Sequence, residues 1–361
     1  MEHIPTLGFS SLHFVEDMYI MSSPLMAEAP TTADYREPSR EVQSIVNAAV
    51  ATGPILPIKP PSLNATWSTE FDGPIVKCKN VTNSHRREIE DNVKLAMRQG
   101  TEYCTTYGFL AWTSTVPFAK SGNASYALQP ASFIGDTARL AILYLAAMPA
   151  MLSATEQTGY AELDACAPGA VGMFAESTML QCELRQARYL SNFHYRDGEQ
   201  SILTSAISID DSPLRTVTSV YTRCFDYPDC YLANFSNGGS ALSPEALLTT
   251  LSYQSIMEAY NTRLTGSVYG NADTAQEVFN TGILSTTLQR TLELQFLSMP
   301  PPSVALSNEG SLKHYLSSET SGHLCGVVNT VPTAAPGVLV DTIEELFQNV
   351  TMSMMSSDIL Q

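Results

Sequence analysis

The sequence predicts an α+β fold, an antiparallel β-meander core with a helical C-terminal third. Three observations carry this. Tyr189, Phe193 and Tyr195 alternate with more polar residues, Asp197-Gly198 supplies a tight turn, and Leu203, Ile207 and Ile209 alternate on the return, as in a hairpin with one buried face. Ser243-Pro244-Glu245 is a helix start: a capping hydroxyl, a proline at the first helical position and an acid set against the dipole. Ile343, Leu346, Phe347, Val350 and Met354 line one side of a last helix. Strands first and helices last suit α+β better than a doubly wound sheet.

Taken in order, residues 1–61 read as a flexible, Pro-rich N-terminal tail and linker. Pro24, Pro30, Pro38, Pro54, Pro57, Pro60 and Pro61 punctuate it, with a short helix allowed around Glu41 to Ala51. A single domain then spans 62–358. Residues 63–78 read as a strand, a turn at Asp72-Gly73-Pro74 and a second strand. A helix follows from Ser84 to Gln99, with Ser84 as its cap, Gly100 as its terminator and Ile89, Val93, Leu95 and Met97 as apolar positions. Tyr107 to Thr113 is a dense aromatic strand. Leu140 to Leu152 is apolar, but Pro149 interrupts it and it falls short of the ~20 residues of a membrane helix, so it reads as a buried strand or core helix. Val217 to Cys224 would add a third strand to the meander. The helix at Ser243 should run to Leu264 and stop at Gly266, and the last helix covers Asp341 to Met354.

The 361 residues are 44% hydrophobic, which suits a folded chain, and only 15% charged, well below the usual quarter. Ser and Thr take the place of charge, as on extracellular, glycan-coated surfaces. The net charge is −17, with 19 basic residues. Binding DNA or RNA needs a cationic face that releases counterions from phosphate. The longest basic cluster, His85-Arg86-Arg87, runs at once into Glu88 and Glu90, so a nucleic-acid partner is not expected.

No phosphate loop, dinucleotide fingerprint, zinc-protease helix, EF-hand loop or nucleophile elbow occurs. The six histidines are far apart; His194 lies on the predicted strand between Phe193 and Tyr195. Glu70 with Asp72, Asp210 with Asp211, and Glu344 with Glu345 are carboxylates close in sequence, and a glycosidase needs two such groups within ~5–10 Å. His323 near Cys325 makes a Cys–His nucleophile conceivable. Trp67, Tyr107, Phe109 and Trp112 could form a ligand platform, though aromatics alternating on strands usually pack in a core. No catalytic, cofactor-binding or metal residue is assigned, and no cofactor is expected.

Five sequons are present, at Asn64, Asn80, Asn123, Asn234 and Asn349. Each accepts an oligosaccharide only in the secretory lumen and on accessible surface. Asn349 falls off the apolar stripe of the last helix, where a glycan would be tolerated. The seven cysteines contain no C-x-x-C, so neither a zinc ribbon nor a thioredoxin site is indicated. Cys224 and Cys230 flank a turn-forming Tyr-Pro-Asp and are the first candidate disulfide. Cys166 with Cys182, and Cys78 with Cys104, follow on sequence proximity, leaving Cys325. The start, Met1-Glu2-His3, lacks a basic region, and Glu16-Asp17 interrupt the only nearby apolar stretch, so no cleavable signal peptide is expected.

Several segments in order carry a resemblance. They are NATWSTEFDGPIVKC (64–78), YGFLAW (107–112), CELRQARYLSNFHYRDGEQ (182–200), YQSIMEAYNTRLTG (253–266) and EELFQNVTMSMMS (344–356). Together they resemble the large extracellular domain of a family of fungal polytopic integral-membrane proteins of unknown function. The resemblance covers about residues 60–358. It implies hydrophobic helices before and after the domain, which would deliver it to the lumen. Membrane attachment would then run through segments that this chain lacks. It carries no activity and no functional residues. The expectation is an N-glycosylated domain on the extracellular side of a membrane, with a structural, sensing or interaction role and an unknown partner. The alternatives are a secreted carbohydrate-active hydrolase with paired carboxylates, and a cytosolic protein with accidental sequons.

Overall fold

The computed structural model describes residues 8–16, 18–21, 32–35, 37–99, 106–113, 141–149, 174, 176–216, 219–221, 244–270, 277–298 and 337–357. The fold is α+β. The main sheet contains β3 (Ala65–Asn80), β4 (Thr106–Thr113), β5 (Ile142–Ala147), β6 (Thr178–Arg196), β7 (Glu199–Ile209), β9 (Gly266–Gly270) and β10 (Glu277–Phe279). Their order is β10-β9-β4-β5-β6-β3, with β7 also on β6, and the pairings are antiparallel. A small sheet joins β1 (Met18–Met21), β2 (Thr32–Tyr35) and β8 (Ser219–Tyr221). The helices are α1 (Arg40–Thr52), α2 (Asn83–Gln99), α3 (Pro244–Leu264) and α4 (Leu339–Ser353).

Burial explains the sequence patterns. All of β5 is buried. Leu143, Leu145 and Ala147 join the large core that also takes α1, α3 and α4, while Ile142, Tyr144 and Ala146 join a second core with Ile89 and Val93 of α2. A strand covered on both faces reads as a continuous apolar run, and this one does. β6 is long because it serves two neighbourhoods. Its start lies between β5 and β3, and its later part between β3 and β7. At the hairpin, Asp197 (φ 53°) and Gly198 (φ 82°) both adopt the positive φ that a two-residue turn demands.

Several expectations are corrected. Within the described part of residues 1–61, Phe9, Phe14, Val42, Val46, Ala49 and Ile58 are core residues rather than parts of a flexible tail. α1 forms because Ser39 caps it, accepting from Val42 N, and Gly53 ends it at φ 94°. The Pro-rich stretch after it is strapped down. Leu56 N donates to Ser353 Oγ at 2.9 Å, Ile58 N to Gln200 Oε1 at 2.8 Å, and Tyr195 OH to Ile58 O at 3.0 Å. Asp72-Gly73-Pro74 makes no turn; β3 runs straight through it. Gly73 is buried, and a Cβ there would stand 3.2–3.3 Å from the Phe71, Phe9 and Tyr189 rings. β8 pairs with β2 rather than extending the meander. Thr82, not Ser84, presents its hydroxyl to the first turn of α2, accepting from His85 N. On β7, Leu203 and Ile207 face solvent, whereas Ile202 and Ala206 pack against the core.

Candidate functional site

The chemistry-bearing residues concentrate where β3 and β6 meet under α4. Cys78 lies opposite Cys182 in the β3–β6 register, and a disulfide joins them with Cα atoms 4.0 Å apart. The N–H of Cys78 turns away from β6 and donates to Glu344 Oε1 of α4 at 2.8 Å. Lys77 Nζ donates to the other oxygen of the same carboxylate. Pro74 O accepts from Thr351 Oγ1 at 3.2 Å and from Tyr189 OH at 2.9 Å. α4 thereby occupies the edge of β3 that would otherwise offer bare backbone groups. Pro74 is tolerated mid-strand because β3 is an edge strand.

Glu183, beside Cys182, is almost wholly buried. Its carboxylate accepts from Arg185 Nη2 at 2.6 Å, from Gln181 Nε2 at 2.8 Å and from Lys79 Nζ. Burial alone would raise its pKa, but the bonds and charges of Arg185 and Lys79 outweigh burial and hold it below the ordinary carboxylate range. Tyr144 is pushed up, first by burial and then by the Glu183 charge. A cleft of about 290 Å³ opens here, lined by Lys77, Cys78, Lys79, Arg185, Ile209 and Asp211 around Glu183. Both Glu183 oxygens are committed to cations, and its affinity for a proton near neutrality is low. This arrangement fastens strands to one another; it does not suit acid–base catalysis.

The sequence-predicted residues distribute as follows. Asn64 and Asn80 are exposed, at the two ends of β3. Asn64 Oδ1 accepts from Asp197 N at 3.0 Å. Asn349 is half-buried, its Nδ2 donates to Gly53 O at 3.0 Å, and Thr351 is fully buried. The end of α1 covers that flank of α4, so the buried side is wider than the apolar stripe. Asn123 and Asn234 lie outside the described residues. The pairings Cys78–Cys104 and Cys166–Cys182 are replaced by Cys78–Cys182, because strand register, not sequence proximity, brings those sulfurs together. Cys104, Cys166, Cys224, Cys230 and Cys325, and with them the Cys224–Cys230 pair, lie outside the described residues, as does His323.

Glu70 and Asp72 are both exposed on one face of β3, and Glu70 Oε2 accepts from Arg188 Nη2 at 2.9 Å. Asp210, Asp211 and Glu345 are exposed, and Glu344 is spent on Lys77 and Cys78. His194 is exposed, 3.4 Å from Thr66 Oγ1. Trp67 stacks on Phe193 at 4.6 Å and Tyr195 at 5.4 Å, and Trp112 on Tyr144 at 5.6 Å, as cross-strand packing inside the fold. Among the described residues, no three His, Cys, Asp or Glu converge as a metal site. Nor is any described helix long and apolar enough to cross a membrane.

Glu183 and Gln200 were missed in the sequence, and Glu344 was singled out there only as a carboxylate neighbouring Glu345. A signal existed for the first. In Lys77-Cys78-Lys79 and in Gln181-Cys182-Glu183, polar residues bracket a cysteine. Period-2 alternation then puts the charges on one face and both sulfurs on the other. No family model, curated protein or solved structure matches this chain.

Proposed function

We propose that this chain is the N-glycosylated, extracytoplasmic domain of a fungal membrane protein, with a structural, sensing or interaction role and no identifiable catalysis. The observation that carries the reading is the Cys78–Cys182 disulfide, which clasps an edge strand to its neighbour. Such bonds persist in oxidising compartments and are rare in the cytosol. Two exposed sequon asparagines, Asn64 and Asn80, support the same compartment. A non-catalytic role is supported by the site itself, whose carboxylates are tied to cations and backbone rather than poised as an acid–base pair.

The test uses the full-length gene product in fungal cells, with thiols blocked at lysis. Peptide mapping should recover Cys78 and Cys182 linked, and a membrane-impermeant amine label should reach the domain on intact cells. Free thiols at both positions together with protection from the label would defeat the reading in favour of a cytosolic protein.

A further inference from the structure

We propose that Asn64 and Asn80 both carry glycans, one at each end of β3, and that Asn349 carries none although its tripeptide fits the same rule. This rests on the extracytoplasmic reading above and adds which sites are used.

Transfer from a lipid-pyrophosphate-linked oligosaccharide joins Nδ2 to the anomeric carbon of the sugar. The bond from that carbon to phosphate breaks, lipid pyrophosphate leaves and one Nδ2 proton is lost. The asparagine keeps Oδ1 and one N–H. The product must therefore leave room beside Nδ2, while Oδ1 is free to stay engaged.

Asn64 meets that condition. Its Oδ1 accepts from Asp197 N at 3.0 Å, a bond that survives glycosylation and holds the amide against the hairpin turn, and the residue is exposed. Asn80 meets it too. It is exposed at the last position of β3, and Thr82 of its tripeptide has its hydroxyl at the exposed start of α2, 2.9 Å from Ser84 Oγ. β3 is 16 residues long, so the two acceptors stand about 50 Å apart at ~3.3 Å per residue.

Asn349 is half-buried and crowded at both ends of its tripeptide. Its Nδ2, the atom that would take the sugar, lies 3.0 Å from Gly53 O at the end of α1. Thr351 is fully buried, with its hydroxyl donating to Pro74 O and Phe347 O. A glycan there would be set against the end of α1, which is itself packed on Thr287: a Cβ added at Gly53 would come within 2.8 Å of it. Asn349-Val-Thr351 is a structural clasp between α4, α1 and β3.

The experiment is glycopeptide mass spectrometry on the folded full-length protein, expressed in a eukaryotic host without an added leader. Glycosidase release in ¹⁸O water marks each occupied asparagine. The expected result is the mark at Asn64 and Asn80 and not at Asn349, with Asn64→Gln and Asn80→Gln each removing one mobility step and Asn349→Gln removing none. A mark at Asn349, or either Asn64 or Asn80 bare while any other sequon is marked, overturns this proposal and leaves the extracytoplasmic reading standing. No mark at any sequon overturns both.

Discussion

Glu344 on α4 accepts the backbone N–H of Cys78 on β3 at 2.8 Å, across 266 positions of sequence. A side chain from the last helix thus completes the hydrogen bonding of an edge strand near the start of the domain. Glu344→Ala should leave that N–H and the Lys77 ammonium without their acceptor, costing about 1–3 kcal/mol. Glu344→Gln keeps an acceptor oxygen and should cost less. Urea denaturation of the two variants checks the order; equal losses would mean that the N–H bond adds nothing.

The Cys78–Cys182 disulfide closes a sequence separation of 104 residues. In the chain-entropy picture a loop of that size stabilises by about 4–5 kcal/mol. The Cys78→Ser/Cys182→Ser double variant should lose a large part of this in denaturant titration under non-reducing conditions. A loss below ~1 kcal/mol would show that α4 and the strand ladder hold β3 unaided.

Two carboxylates should give opposite pH signatures. Glu183 is held below the ordinary carboxylate range, so its contribution is full above the unfolded-state pKa and is lost as pH falls through the folded one. Glu258 is raised, first by burial and further by Glu37. The folded state therefore keeps its proton longer, and stability falls as pH rises from the ordinary range through that raised value. Glu183→Gln should flatten the acid limb of the stability–pH curve and lower stability at neutrality. Glu258→Gln should remove the second loss and raise stability at neutrality. Melting temperatures from pH 3 to 8 check both signs.

Gln200 fastens the 53–58 strap, accepting from Ile58 N at 2.8 Å and donating to Ile55 O and Leu56 O. Gln200→Ala should raise amide exchange at Ile58 at least tenfold, the equivalent of ~1.4 kcal/mol, while the middle of β5 keeps its protection. Exchange rising equally in β5 would mean global rather than local loosening.

Gly73→Ala should destabilise by about 1–3 kcal/mol, because the methyl would stand 3.2–3.3 Å from three aromatic rings, closer than ordinary van der Waals contact. A tolerated substitution, with an unchanged thermal midpoint, would show that Phe9 or Phe71 moves aside freely.

Much of the fold was legible locally. The Asp197-Gly198 hairpin, the helix beginning at Pro244, the aromatic strand at 107–113 and the last helix stand where period, cap and turn chemistry put them. Each of those signals is complete within a dozen residues. The errors have a different physical origin. Asp72-Gly73-Pro74 is a turn by local preference, but the glycine lets Phe9 and Tyr189 pack closely on the strand, and an edge position permits the proline. Leu203 and Ile207 share one parity of β7, and alternation alone cannot say which parity faces the core.

The sequence by itself determined the fold class, the types of most elements and the chemical inventory: acidic, rich in Ser and Thr, cysteine-bearing, with five sequons. These follow from composition and short-range periodicity. Only the tertiary structure decided which cysteine meets Cys78, that residues 40–58 belong to the core, and that Asn349 is spent on Gly53 while Asn64 faces solvent. The reason is that strand register and helix docking join residues 100 to 300 positions apart, and no local pattern along the chain records those contacts.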